Sequence, residues 1–74
     1  MNRYNDWKGL LETANEDLEK FGYSLMIVEP EEGFYNCEIW KDGELEDTYA
    51  ENYYEDELSG LITDAWHDVK LRLV

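Results

Sequence analysis

Residues 34–50, FYNCEIWKDGELEDTYA, hold an Asp42-Gly43 pair between two runs of largely strand-forming residues. A type I′ turn needs positive φ at both central positions, and Asp-Gly is one of the few pairs that accept this, so the segment is predicted to be a β-hairpin. A two-residue loop would set Lys41 opposite Glu44, Trp40 opposite Leu45, Glu38 opposite Asp47 and Asn36 opposite Tyr49. Side chains alternate between the faces of a strand. One face then carries Tyr35, Cys37, Ile39, Thr48 and Ala50. The other carries Phe34, Asn36, Glu38, Trp40, Leu45, Asp47 and Tyr49, aromatics mixed with acids, and reads as a surface for contact with another molecule.

The flanking segments are helical in pattern. Tyr4, Trp7, Leu10, Leu11, Ala14, Leu18 and Phe21 follow the spacing that gathers side chains on one face of a helix, predicted over 4–21. Asn2 or Asn5 can cap its start, and Gly22 stands where a left-handed residue would end it. Tyr23–Val28 is short and apolar and reads as a strand, followed by a turn over Glu29–Gly33. Asn52 with Glu55 resembles a capping box opening a second helix from about Tyr53 to Leu71. Tyr54, Leu58, Leu61, Ile62, Ala65 and Val69 form its apolar stripe, with Trp66 at the edge. The expected fold is α+β: helix, three-stranded antiparallel meander, helix (α-β-β-β-α), with both helices on one face of the sheet. The 74 residues read as one domain, 1–74, without repeats or linkers.

Charge narrows the function classes. Nineteen acids against six bases give a net charge of −13, and the stretch from Asp42 to Glu57 contains eight acids and no base. Such a chain is repelled by nucleic acid and by anionic membranes and suits a basic partner, or simply solubility. Acidic chains are often disordered, but 43% apolar residues with clear periodicity argue for a packed core. One cysteine allows no internal disulfide, and no leader or membrane-spanning run stands out, so a reducing cytoplasm is the expected compartment.

Catalytic chemistry finds little support. Nucleophilic catalysis needs nucleophile, base and orienting group together. His67 falls about 180° from Leu58 around the second helix and points to solvent, whereas Cys37 faces the expected core. Glu38 beside Asp47 would be a carboxylate pair able to raise one pKa, but no pocket accompanies it. The acids after Asp42 lack the spacing of a calcium loop. The chain is therefore expected to be no enzyme, with no catalytic residues, metal site or cofactor.

The acidic run supports two readings. It can be a solvated face, or a row of carboxylates that imitates phosphates, since duplex DNA carries one charge per about 1.7 Å of axis. Aromatics beside the acids (Trp40, Tyr49, Tyr53) favour the second, because they add apolar anchoring.

The element order, with Asp42-Gly43 at the turn, Glu44, Glu46 and Asp47 after it, and Tyr53-Tyr54-Glu55-Asp56-Glu57 leading into the second helix, resembles small acidic phage-encoded anti-CRISPR proteins that inhibit Cas9. The order is also similar to that of double-stranded-RNA-binding domains, whose basic phosphate contacts are missing here, since Lys41 is the sole base between Lys20 and Lys70. The first resemblance implies a phage or mobile-element anti-defence protein acting in a bacterial cytoplasm. It would bind the basic nucleic-acid channel of a CRISPR effector or restriction enzyme through Glu38, Trp40, Asp42, Glu44, Glu46, Asp47, Tyr49, Glu51, Tyr53, Glu55, Asp56 and Glu57. The competing expectation is a small non-enzymatic interaction or homodimerisation domain whose acidity serves solubility. Reversing Glu44, Glu46 and Asp47 to Lys is expected to abolish inhibition and leave the fold intact or more stable.

Overall fold

The computed structural model describes residues 7–53 and 55–74, with side chains described for 7–49 and 56–74. Helix α1, Trp7–Glu19, buries Ala14 and Leu18 and lays Trp7, Leu10 and Leu11 along the margin of the core. Tyr4 and the caps proposed at Asn2 and Asn5 lie outside the described residues. At its other end α1 stops sooner than periodicity suggested. Phe21 falls beyond it and is exposed, because the chain reverses at Gly22, whose φ is +83°. The Phe21 and Gly22 N–H groups donate to the Leu18 and Glu19 carbonyls at 2.9 and 3.0 Å. Glycine is needed here for its backbone, and a side chain would also make the exposed Asp42 carboxylate move aside. The φ is left-handed, and a Cβ would sit 2.5 Å from Asp42 Oδ1. The Asp42 N–H in turn donates to the Gly22 carbonyl at 2.8 Å, tying the hairpin turn to the end of α1.

Strands β1 (Tyr23–Glu31), β2 (Phe34–Lys41) and β3 (Glu44–Tyr53) form an antiparallel sheet in the order β1-β2-β3. Strand β1 runs three residues past its expected end, through Pro30. An edge strand tolerates proline, whose missing N–H can point away from the sheet. The turn accordingly shrinks to Glu32-Gly33. Leu25 lies opposite Ile39 and Ile27 opposite Cys37, which sets Tyr23, Leu25 and Ile27 on the core face.

The Asp42-Gly43 turn has the expected geometry, with φ of 52° and 84°. Lys41 pairs with Glu44 and Trp40 with Leu45, as expected, but the register then slips. Ile39 faces Asp47, Glu38 faces Thr48 and Cys37 faces Tyr49, leaving Glu46 as an extra residue in a β-bulge. One inserted residue reverses which face every later side chain takes. The expected pairs Glu38–Asp47 and Asn36–Tyr49 are therefore not formed. Tyr49 packs against the core, and Thr48 moves to the opposite face. A second slip precedes the Tyr35–Tyr53 pair.

Helix α2, Leu58–Arg72, follows a single 3₁₀ turn at Glu55–Glu57. It starts later than the Asn52/Glu55 pattern suggested, because β3 stays paired with β2 through Tyr53 and holds residue 52 in the strand. Sheet pairing overrides the local capping signal. The side chains of that pattern, and Tyr54, lie outside the described residues. Glu57 occupies the cap position without a capping side-chain hydrogen bond. Leu58, Leu61, Ile62, Ala65 and Val69 are buried as their spacing required. They join Ala14, Leu18, Tyr23, Leu25, Cys37 and Ile39 in one cluster. Every buried strand residue in it lies on the same side of the sheet, so both helices cover that face and the other is open.

Candidate interaction surface

Among the described residues, the acids named from sequence separate into three environments. The first is a clamp. Arg72, at the last turn of α2, reaches Glu46 Oε1 through Nη1 at 2.8 Å, and Asp47 Oδ2 and Asp68 Oδ2 through Nη2 at 2.8 and 2.7 Å. Neighbours on a regular strand point to opposite faces. The bulge is what lets both Glu46 and Asp47 reach one guanidinium. Tyr49, on the core side of β3, hydrogen-bonds Asp68 and adds its hydroxyl to the group. Burial and the carboxylates of Asp68 and Asp47 push its pKa up to about 12. The Arg72 hydrogen bond, helped by the Thr48 N–H at 2.8 Å, holds the Asp47 carboxyl below its usual range. Reversing Glu46 and Asp47 to Lys would set cations against Arg72, so the fold is not expected to remain intact or gain stability.

The second environment is the exposed remainder. Asp42 and Glu44 stand at the hairpin tip beside Lys41, around a shallow depression that Leu45 and Glu46 complete. Asp56 and Glu57 are exposed at the start of α2. Helix α2, fifteen residues and about 22 Å long, carries the chain from Asp56 and Glu57 back to Arg72 beside the bulge. The side chains of Glu51, Tyr53 and Glu55, proposed as contacts, lie outside the described residues.

The third is the open face of the sheet. Glu38 lies between Met26 and Thr48, and Trp40 between Ser24 and Leu45. Trp40 Nε1 donates to Glu38 Oε1 at 3.0 Å. Met26 and Leu45 are each 50% exposed. Tyr49, expected on this face, is absent from it, and Met26 takes a place on it that only the pairing of β1 with β2 fixes.

Two further side chains protect the molecule's frame. Asn15 on α1 closes a two-bond pair with Leu25: its Oδ1 accepts from the Leu25 N–H at 2.7 Å and its Nδ2 donates to the Leu25 carbonyl at 3.1 Å. This covers part of the outer edge of β1, where unpaired backbone would invite another strand. Asp17 Oδ2 accepts from Trp66 Nε1 and Lys70 Nζ, both at 2.9 Å, and joins the two helices. Those bonds, Lys70 first, keep its carboxyl below the usual range.

Cys37 is fully buried, and desolvation pushes its thiol up to about 12. His67 is exposed on α2, so the two do not meet. Among the described residues no group of three or more His, Cys, Asp or Glu is arranged to hold a metal ion, and no helix is long and apolar enough to cross a membrane. Comparison of the chain with protein-family models, with curated proteins and with solved structures finds no match.

Proposed function

We propose that this chain is a non-enzymatic anti-defence protein of phage or mobile-element origin: an acidic mimic of nucleic acid that occupies the basic channel of a CRISPR effector or restriction enzyme in a bacterial cytoplasm. The observation that carries the reading is the disposition of charge. Arg72 engages Glu46, Asp47 and Asp68, whereas Asp42, Glu44, Asp56 and Glu57 remain exposed along the β3–α2 margin, at the hairpin tip and at the start of α2. A net charge of −13 would steer a basic partner to this margin and make association fast and salt-sensitive.

The test is capture of nuclease-treated bacterial lysate on the immobilised protein, followed by elution with duplex DNA and with stepped salt. Expected is a nucleic-acid-binding enzyme that DNA displaces and moderate salt releases. The variant Asp42→Asn/Glu44→Gln/Asp56→Asn, which leaves the Arg72 clamp untouched, should capture far less. Equal capture by the variant, or capture indifferent to DNA and salt, would overturn the mimic in favour of an interaction domain. That second reading draws support from the half-exposed Met26 and Leu45 on the open face.

A further inference from the structure

Among the described residues, each positive side chain is engaged within the chain. Lys8 lies 5.6 Å from the Trp7 ring centre, Lys20 and Lys70 lie over Phe21 at 5.6 and 6.0 Å, and Lys41 over Tyr23 at 5.2 Å. Arg72 sits among carboxylates. The chain thus repeatedly sets cations on aromatic faces. Lys41 leans to the helix-covered side, following its partner Tyr23. The open face is left with an indole and a carboxylate joined to each other, Trp40 and Glu38, and none of its described residues (Ser24, Met26, Val28, Phe34, Asn36, Thr48 among them) carries positive charge.

This arrangement suits a guanidinium. Its plane can stack on the indole while its N–H fork meets the adjacent carboxylate, and a lysine ammonium cannot do both in the same way. Met26 and Leu45 flank the pair from the neighbouring strands and supply apolar contact to the residues beside such an arginine. A second copy of this chain is a poor occupant, because two molecules of net charge −13 repel. We propose that the open face docks a basic protein partner through an arginine that stacks on Trp40 and pairs with Glu38. This deepens the reading above, on whose basic partner it rests, and assigns the anchoring contact to a face separate from the acidic margin.

The probe is acetyl-Leu-Arg-Leu-amide, titrated into the ¹⁵N-labelled protein while the Trp40 indole N–H and the backbone resonances are followed by NMR. A saturable shift of the Trp40 indole is expected, and the same peptide with citrulline in place of arginine should shift it far less. Glu38→Gln should weaken the response about tenfold, as loss of a charged hydrogen-bond partner does. Met26→Lys, at a half-exposed position directly opposite Glu38, brings the chain's own cation to the carboxylate and should suppress the response with unchanged spectral dispersion. Equal shifts with the citrulline peptide, or an unmoved Trp40 indole, overturn the proposal. Shifts confined to Glu44 and Asp56 overturn it too, yet leave the acidic-margin reading standing, since DNA-competed capture tests that reading independently.

Discussion

Asp17 and Arg72 are counterparts of opposite sign. Asp17 is an acid that gathers an indole and an amine, Trp66 and Lys70, across the two helices. Arg72 is a base that gathers three carboxylates from β3 and its own helix. Both are partly exposed, and exposed ion pairs usually contribute little. What separates them is the state left when each is removed. Without Asp17, Trp66 and Lys70 face solvent in a chain rich in other acids. Without Arg72, Glu46, Asp47 and Asp68 are left together with no counter-ion, in a molecule already at −13. In an acid-rich chain the scarce charge holds the fold.

Arg72→Ala should therefore have the largest effect. A loss of about 1–2 kcal/mol is expected, which for a domain of this size lowers Tm by roughly 5–15 °C. Arg72→Lys should recover only part, because an ammonium lacks the fork that serves Glu46 through one nitrogen and Asp47 with Asp68 through the other. Thermal unfolding followed by circular dichroism measures both.

Asp17→Asn should cost less than Arg72→Ala, since the amide oxygen still accepts from Trp66 Nε1. A loss at Asp17 as large as that at Arg72 would refute the account of scarce charge. Salt sharpens the contrast. Raising ionic strength to about 1 M shortens the screening length to roughly 3 Å, short enough to act between clustered exposed carboxylates, so it should restore much of the stability lost in Arg72→Ala and little of that lost in Asp17→Asn.

The same contrast explains what could be read from the sequence. The helices, the Asp42-Gly43 turn, the order of elements and the buried stripe of α2 follow from periodicity and turn chemistry, which act within a few residues. The bulge at Glu46 does not. Nothing in ELEDTY marks one glutamate as unpaired. The slip is seen only with Arg72, twenty-six positions away, bonding both Glu46 and Asp47. Tyr49 was assigned to the wrong face for that reason, and the Asn52 cap signal gave way to pairing of β3 with β2. Glu38 and Trp40 kept their predicted face because they precede the slip. Their direct bond, and Met26 beside them, required the three strands together.

Response to pH divides the two clusters once more. Asp17 and Asp47 both titrate below their usual range when folded. The unfolded chain therefore takes up protons first as pH falls, and the stability these groups contribute, present above their ordinary value near 3.8, is lost below it. That acid limb belongs to both clusters. An alkaline limb belongs to the Arg72 cluster through Tyr49. Its folded pKa of about 12 stands above an ordinary 10, so the unfolded chain releases the proton first and stability falls as pH rises from 10 towards 12. Cys37, raised from 9 to about 12 by burial, adds to the same limb from the core. Urea unfolding from pH 9 to 12 should show this decline in the native chain. Tyr49→Phe should flatten its upper part and Cys37→Ala its lower onset, with Asp17→Asn leaving the limb unchanged. A decline unaltered by Tyr49→Phe would remove the tyrosine from the clamp and leave Arg72 holding carboxylates only.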